Sequence, residues 1–138
     1  MRRSWWKILC TVLLLYTLVG GLLLDVPRKK ILNETIRNIY FHVPLWFGMM
    51  ILFTCSVIYA VKYLRKPDLT NDIYATAFAA TGTLFGVLGL ITGAIWAKYT
   101  WGKPWSNDIK QLGAAMALLI YAAFFVLRNS ITDIDKRA

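Results

Sequence analysis

Residues 73–96 read IYATAFAATGTLFGVLGLITGAIW, and this run decides the fold of the 138-residue chain. It contains no charged side chain and no proline. A helix rises ~1.5 Å per residue, so about 20 residues cross a hydrocarbon core of ~30 Å. A helix at the surface of a water-soluble protein would instead place charged side chains along its outer face. The run therefore predicts a membrane-spanning helix.

Three further apolar runs flank this one, and together they predict an all-α, polytopic membrane protein with about four transmembrane helices. Apolar residues make up 58% of the chain and charged residues 17%, against about 25% charged in soluble domains. The first run follows a basic start but is longer than the apolar core of a signal peptide, so we expect it to be retained. One integral membrane domain is expected over residues 1–138, with spans at about 5–24, 45–61, 73–96 and 112–127.

The net charge of +9 favours a lipid bilayer as the partner and not a nucleic acid, because the basic residues gather at the ends of the runs. Nine of the 16 Lys and Arg residues lie on the side of the two termini and the 62–72 loop, and seven on the other side. The positive-inside rule then places both termini in the cytoplasm. We expect a multi-pass protein of the inner (cytoplasmic) membrane.

The connection between the first two spans carries a helical pattern. Leu32, Ile36 and Ile39 recur at offsets of four and seven, which is one face of a helix. This pattern predicts a short interfacial helix in the first outer loop.

Glycines mark one face of the third span. Gly82, Gly86, Gly89 and Gly93 stand at offsets of four, seven and eleven, so GxxxG occurs twice. A face without side chains lets another helix approach closely, and the alternative reading is a groove that holds a ligand. No span has Asp, Glu, Lys, Arg or His at its centre, which argues against a proton-driven transporter.

His42 is the single histidine of the chain and lies where the polar connection meets the second span. It is either a polar side chain that reaches the interfacial water or an axial ligand of haem iron. The two cysteines stand in separate apolar runs and predict neither a disulfide framework nor a zinc site.

The loop after the third span, residues 97–108, is rich in tryptophan. With Trp96 it begins WAKYTWGKPW, which is either an aromatic belt at the membrane surface or a platform for a planar anion. A porphyrin has such a shape, and Lys98 or Lys103 would meet its carboxylates.

These pieces resemble the haem-handling proteins of cytochrome c maturation, of the CcmC type within the CcmC/CcmF/CcsA group. The resemblance rests on three stretches in the family's order: Ile39 to Pro44 (IYFHVP), Gly89 to Trp96 (GLITGAIW) and Trp101 to Asp108 (WGKPWSND). In the last stretch Trp101, Gly102, Trp105 and Asp108 keep the family's tryptophan-rich signature.

The resemblance implies a protein that binds haem b non-covalently at the outer face of the membrane and delivers it during cytochrome c maturation. Its partners would be a haem chaperone and the other membrane subunits of that process, and no enzymatic chemistry is implied. The implied cofactor-binding residues are His42 (the axial ligand of the iron), Trp96, Lys98, Tyr99, Trp101, Lys103, Trp105 and Asp108.

The implied roles differ along the loop. Trp101 and Trp105 would form the floor against the porphyrin face, bordered by Trp96 and Tyr99. For Asp108 we expect a cap on the start of the fourth span rather than a contact with haem.

The chain also departs from the family pattern. Pro104 and Asn107 stand where the family has tryptophans, and family members carry more spans and a second ligating histidine. The expectation is therefore either a truncated or split product, or a short member whose second axial ligand comes from elsewhere. The alternative function is a cofactor-free tetraspan structural or assembly subunit of a larger membrane complex.

Overall fold

A computed structural model describes residues 4–131, and all its regular elements in that range are helical. The α-helices are α1 (Trp5–Leu23), α2 (Ile39–Arg65), α3 (Leu69–Trp101) and α4 (Ile109–Ser130), and a 3₁₀ helix (Asn33–Asn38) leads directly into α2. The predicted all-α class is confirmed.

Each of the four α-helices is long and apolar enough to cross a membrane. The shortest has 19 residues and the longest 33, and about 20 suffice for a hydrocarbon core. Their outer surfaces are apolar and exposed, and α4 has no buried residue at all. Such surfaces suit contact with lipid rather than water. The chain is a multi-pass membrane protein, as its sequence predicts.

Helices α2, α3 and α4 extend beyond the predicted spans. Helix α2 begins at Ile39 rather than at Leu45 and runs through Pro44; prolines are tolerated within membrane-spanning helices. Helix α3 continues past Trp96 to Trp101, since nothing between them breaks a helix. The predicted loop 97–108 is therefore shortened to residues 102–108.

Helices α2 and α3 are antiparallel neighbours that pack through the glycine face. A methyl group added at any of the four glycines would come within 2.6 to 3.2 Å of a side chain. The side chains that fill these positions come mainly from one row of α2: His42 at Gly93, Trp46 at Gly89, Met49 at Gly86 and Phe53 at Gly82. The close helix approach predicted from the glycine pattern is confirmed.

Helix α4 is attached to this pair by fewer contacts. Tyr121 stacks on Phe53 with ring centroids 4.0 Å apart. At the end opposite His42, Arg128 of α4 pairs with Asp72 of α3, and both side chains are largely buried. This ion pair fixes α4 against the first turn of α3.

Helix α1 is held at its C-terminal end. The ring of Phe41 packs against Gly21, where it would lie 2.8 Å from an added methyl group. The Arg37 guanidinium donates to the backbone carbonyls of Leu24 and Gly21, at 2.5 and 3.3 Å, and so satisfies carbonyls that a helix end leaves without partners.

Candidate functional site

A cavity of about 590 Å³ lies where α2 begins, α3 ends and α4 begins. Its size falls within the range of about 300–1,000 Å³ usual for small-molecule sites. Five of the residues predicted from the sequence line it: His42, Trp96, Trp101, Lys103 and Asp108. The helix packing thus brings together residues that stand far apart in the chain.

Lys98, Tyr99 and Trp105 are placed elsewhere, which departs from the prediction. Helix α3 continues to Trp101, so Lys98 and Tyr99 lie on a helical face turned away from the one that lines the cavity. Tyr99 is accordingly 72% exposed. Trp105 lies in the loop beyond α3 and does not line the cavity.

The imidazole of His42 is held on both of its nitrogens. The indole Nε1 of Trp46 donates to His42 Nε2 at 2.9 Å. His42 Nδ1 lies 3.1 Å from Thr92 Oγ1, and that hydroxyl donates to the backbone carbonyl of Leu88 at 2.9 Å. A neutral imidazole has one N–H and one lone pair, and indole only donates. The proton therefore lies on Nδ1.

Two indoles flank the same imidazole. Trp46 and Trp96 each meet the ring edge to face with centroids 5.8 Å apart, a favourable aromatic geometry. Trp96 is oriented by its own Nε1, which donates to Thr35 Oγ1 at 3.2 Å. Ring contacts and hydrogen bonds thus fix His42 in one orientation.

A short, ordered loop forms one side of the cavity. Gly102 ends α3 with a φ of 80°, a left-handed conformation that favours glycine, and its N–H donates to the Lys98 carbonyl. Gln111 of α4 then binds the loop: its Nε2 donates to the Pro104 carbonyl and its Oε1 accepts from Ser106 N, both at 2.9 Å.

Asp108 caps α4 as predicted. Its carboxylate accepts from the backbone N–H of Lys110 at 2.9 Å, at the helix end where a negative charge is favoured. The charged groups that line the cavity are this carboxylate and the ammonium groups of Lys103 and Lys110. Two ammonium groups against one carboxylate leave a net positive charge at the rim.

The arrangement suits a flat, largely apolar ligand with anionic groups. Indole surfaces supply the walls, Lys103 and Lys110 supply cations, and the imidazole of His42 lies on the wall. Among residues 4–131 no group of three or more His, Cys, Asp or Glu side chains is placed to hold a bare metal ion.

The sequence reasoning missed Trp46 and Thr92, the two hydrogen-bond partners of His42. Trp46 could have been found, because it follows His42 by four residues and so lies one helical turn away on the same face. Thr92 could not, because its position depends on how α2 and α3 are aligned.

Fold and site together define a class: multi-pass membrane proteins with an aromatic-lined cavity and one oriented histidine at the end of a helix pair. Within it, the chain belongs to the family Heme exporter protein C (CcmC), whose sequence model matches residues 2–138. The resemblance seen in the sequence is confirmed.

Several curated relatives are similar to the chain. Heme exporter protein C of Haemophilus influenzae is 30% identical over 125 residues, which is 91% of this chain and 50% of that protein. Heme exporter protein C of Rhodobacter capsulatus is 28% identical over 134 residues, 96% of this chain and 55% of that protein. Cytochrome c biogenesis protein CcsA of Pelargonium hortorum is 31% identical over 103 residues, 74% of this chain and 32% of that protein. The chain spans between about a third and about half the length of these relatives.

Proposed function

We propose that this chain binds haem b non-covalently in the cavity beside His42 and hands it on during cytochrome c maturation. The observation that carries the proposal is the oriented imidazole on the wall of a cavity of about 590 Å³ lined by indole rings and lysines. The names of the relatives, which refer to haem export and cytochrome c biogenesis, support the same ligand.

The residues present fit haem. A porphyrin would supply most of the ligands of its iron, so one histidine from the protein would be a meaningful contribution. His42 would supply that ligand, and Trp96 and Trp101 would contact the apolar ring. Lys103 and Lys110 would pair with the propionates, a charge-assisted contact. The bound group supplies an iron centre, and the protein holds and orients it without covalent chemistry.

The remaining expectations belong to this proposal. The protein would lie in the inner membrane with both termini in the cytoplasm, so that the cavity faces outward. A haem chaperone and other maturation subunits would be its partners.

An absorption spectrum of the detergent-purified chain, titrated with hemin, tests the proposal. We expect a Soret band shifted from that of free hemin in the same detergent. His42→Ala should remove this shift, and added imidazole should restore it in His42→Gly because the free base can enter the space left by the side chain. Trp5→Phe is the matched control, because Trp5 lies at the far end of α1, outside the cavity. A spectrum of free hemin in both the parent and His42→Ala would reject haem binding by this histidine.

The alternative is a cofactor-free assembly subunit. It is favoured by α4, which buries no residue and so leaves an apolar surface for another membrane protein. The same titration separates the two functions, because an assembly subunit leaves the Soret band at the position of free hemin in that detergent.

A further inference from the structure

The lone pair that iron would need on His42 is already engaged within the protein. Trp46 Nε1 donates to His42 Nε2, and the proton of the neutral ring lies on Nδ1. Nε2 therefore carries the only ring lone pair available to a metal. A metal bound at Nε2 and the indole hydrogen bond exclude each other.

Trp46 is held in this position by contacts within the protein. It lies one helical turn from His42 on α2, so the bond joins two residues of the same helix. Its indole also packs on the α3 backbone, where a methyl group at Gly89 would lie 3.2 Å from Cε2.

The other nitrogen is bound in a way that ligation would leave intact. Nδ1 donates to Thr92 Oγ1, whose own proton goes to a backbone carbonyl of α3. A hydrogen bond to the second nitrogen is the usual means by which a protein sets the tautomer and orientation of a ligating histidine. The hydrogen bond at Nδ1 of His42 is thus compatible with ligation, whereas the hydrogen bond at Nε2 must break before a metal can bind there.

We propose that Trp46 is a positioning residue that competes with haem iron for Nε2 of His42 and so weakens the attachment of haem. This inference rests on the proposed function. In the exchange, the Trp46 N–H to Nε2 hydrogen bond breaks and an iron–nitrogen bond forms with the same lone pair, without transfer of a proton or of oxidising equivalents. A protein that passes its ligand on benefits from such an internal competitor, because the indole reoccupies Nε2 when the ligand leaves.

The first test uses the unaltered protein. Because the chain has a single histidine, ¹⁵N-histidine labelling reports the two nitrogens of His42 alone. In the hemin-free protein, at a pH where the ring is neutral, we expect the Nδ1–H tautomer. The Nε2–H tautomer would overturn the inference, since Nε2 would then be unable to accept from Trp46.

The second test compares hemin affinity. Trp46→Phe keeps an aromatic ring but removes the N–H, so we expect hemin to bind about 2- to 10-fold more tightly, the range of one net hydrogen bond. The ¹⁵N spectrum of this variant should also gain the Nε2–H tautomer, a change that a merely structural role would not produce. Trp5→Phe is the control and should match the parent in both measurements.

The outcomes separate the two proposals. Hemin binding by the parent, lost in His42→Ala and unaltered or weaker in Trp46→Phe, would overturn the competition while the proposed function stands. Absence of hemin binding in the parent and in Trp46→Phe alike would overturn both. Tighter binding in Trp46→Phe, lost again when His42→Ala is added, supports the inference.

Discussion

Adding one methyl group at Gly93 should displace the imidazole of His42. The added carbon would lie 2.6 Å from His42 Cε1, whereas non-bonded carbons prefer about 3.5–4.0 Å. The ring would have to retreat by about 1 Å. It cannot do so freely, because Thr92 and Trp46 hold its two nitrogens. Gly93→Ala therefore strains the packing and breaks at least one of these hydrogen bonds.

The magnitude follows from two opposing terms. Overpacking of this kind costs about 1–3 kcal/mol, and replacing glycine by alanine within a helix returns about 1 kcal/mol. Gly113→Ala in α4 is the matched control, because nothing lies within 4 Å of its added methyl group. It gains the propensity term alone, so the difference between the two variants is the overpacking cost itself, about 1–3 kcal/mol.

The assay is reversible unfolding in mixed micelles, followed by tryptophan fluorescence and paired with the ¹⁵N spectrum of His42. Gly82→Ala is a second control, because its methyl group would lie 2.7 Å from Phe53 and far from the histidine. It should lower the free energy of unfolding but leave the His42 signals unchanged. If Gly93→Ala is as stable as Gly113→Ala, the proposed close approach of α2 and α3 at His42 is wrong.

Three other changes give expected losses in the free energy of unfolding. Asp72→Asn should cost about 3 kcal/mol, because it removes one partner of a largely buried ion pair. A double variant with leucine at both Asp72 and Arg128 should lose less stability than this single variant. Equal losses would contradict a coupled pair. Gly102→Ala should cost about 1–2 kcal/mol, because residue 102 has a left-handed φ of 80°. Gly102→Asn should cost less. An unchanged stability of Gly102→Ala would contradict this conformation. Asp108→Ala should cost about 1 kcal/mol as a lost helix cap, whereas Asp108→Ser should retain most of it; identical losses would show that the cap contributes nothing.

Helix number and class could be predicted from the sequence because hydropathy reports directly which residues lipid accepts. Helix ends could not be read in the same way. The polar residues after Trp96 predict the end of the third span there, yet polarity marks the edge of the membrane and not the end of a helix. The stop signal was Gly102, which carries the left-handed conformation that closes α3. The second span is expected to start at about residue 45, yet α2 begins at Ile39 and runs through Pro44, as prolines are tolerated within membrane-spanning helices.

The candidate site could be predicted in part, for a similar reason. His42, Trp101 and Lys103 were found because unusual residue types stand out in an apolar chain, and all three line the cavity. Lys98 and Tyr99 were included because they are near in sequence, but in a helix nearness in sequence does not mean a shared face. Which side chains meet depends on the alignment of α2 against α3, and a single sequence carries no direct record of that alignment.

The glycine pattern is consistent with helix packing or with ligand binding. In this fold, packing and the proposed ligand binding involve the same residues. The row of α2 side chains that fills the glycine face has Phe53 at one end and His42 at the other. Towards Phe53 the row is apolar and holds the two helices together. Towards His42 the same row borders the cavity, and the contact with Gly93 sets where the imidazole stands. Close helix packing thus sets the orientation of His42, the proposed ligand of the iron. Small residues on α3 are therefore as much a requirement of the proposed site as the histidine.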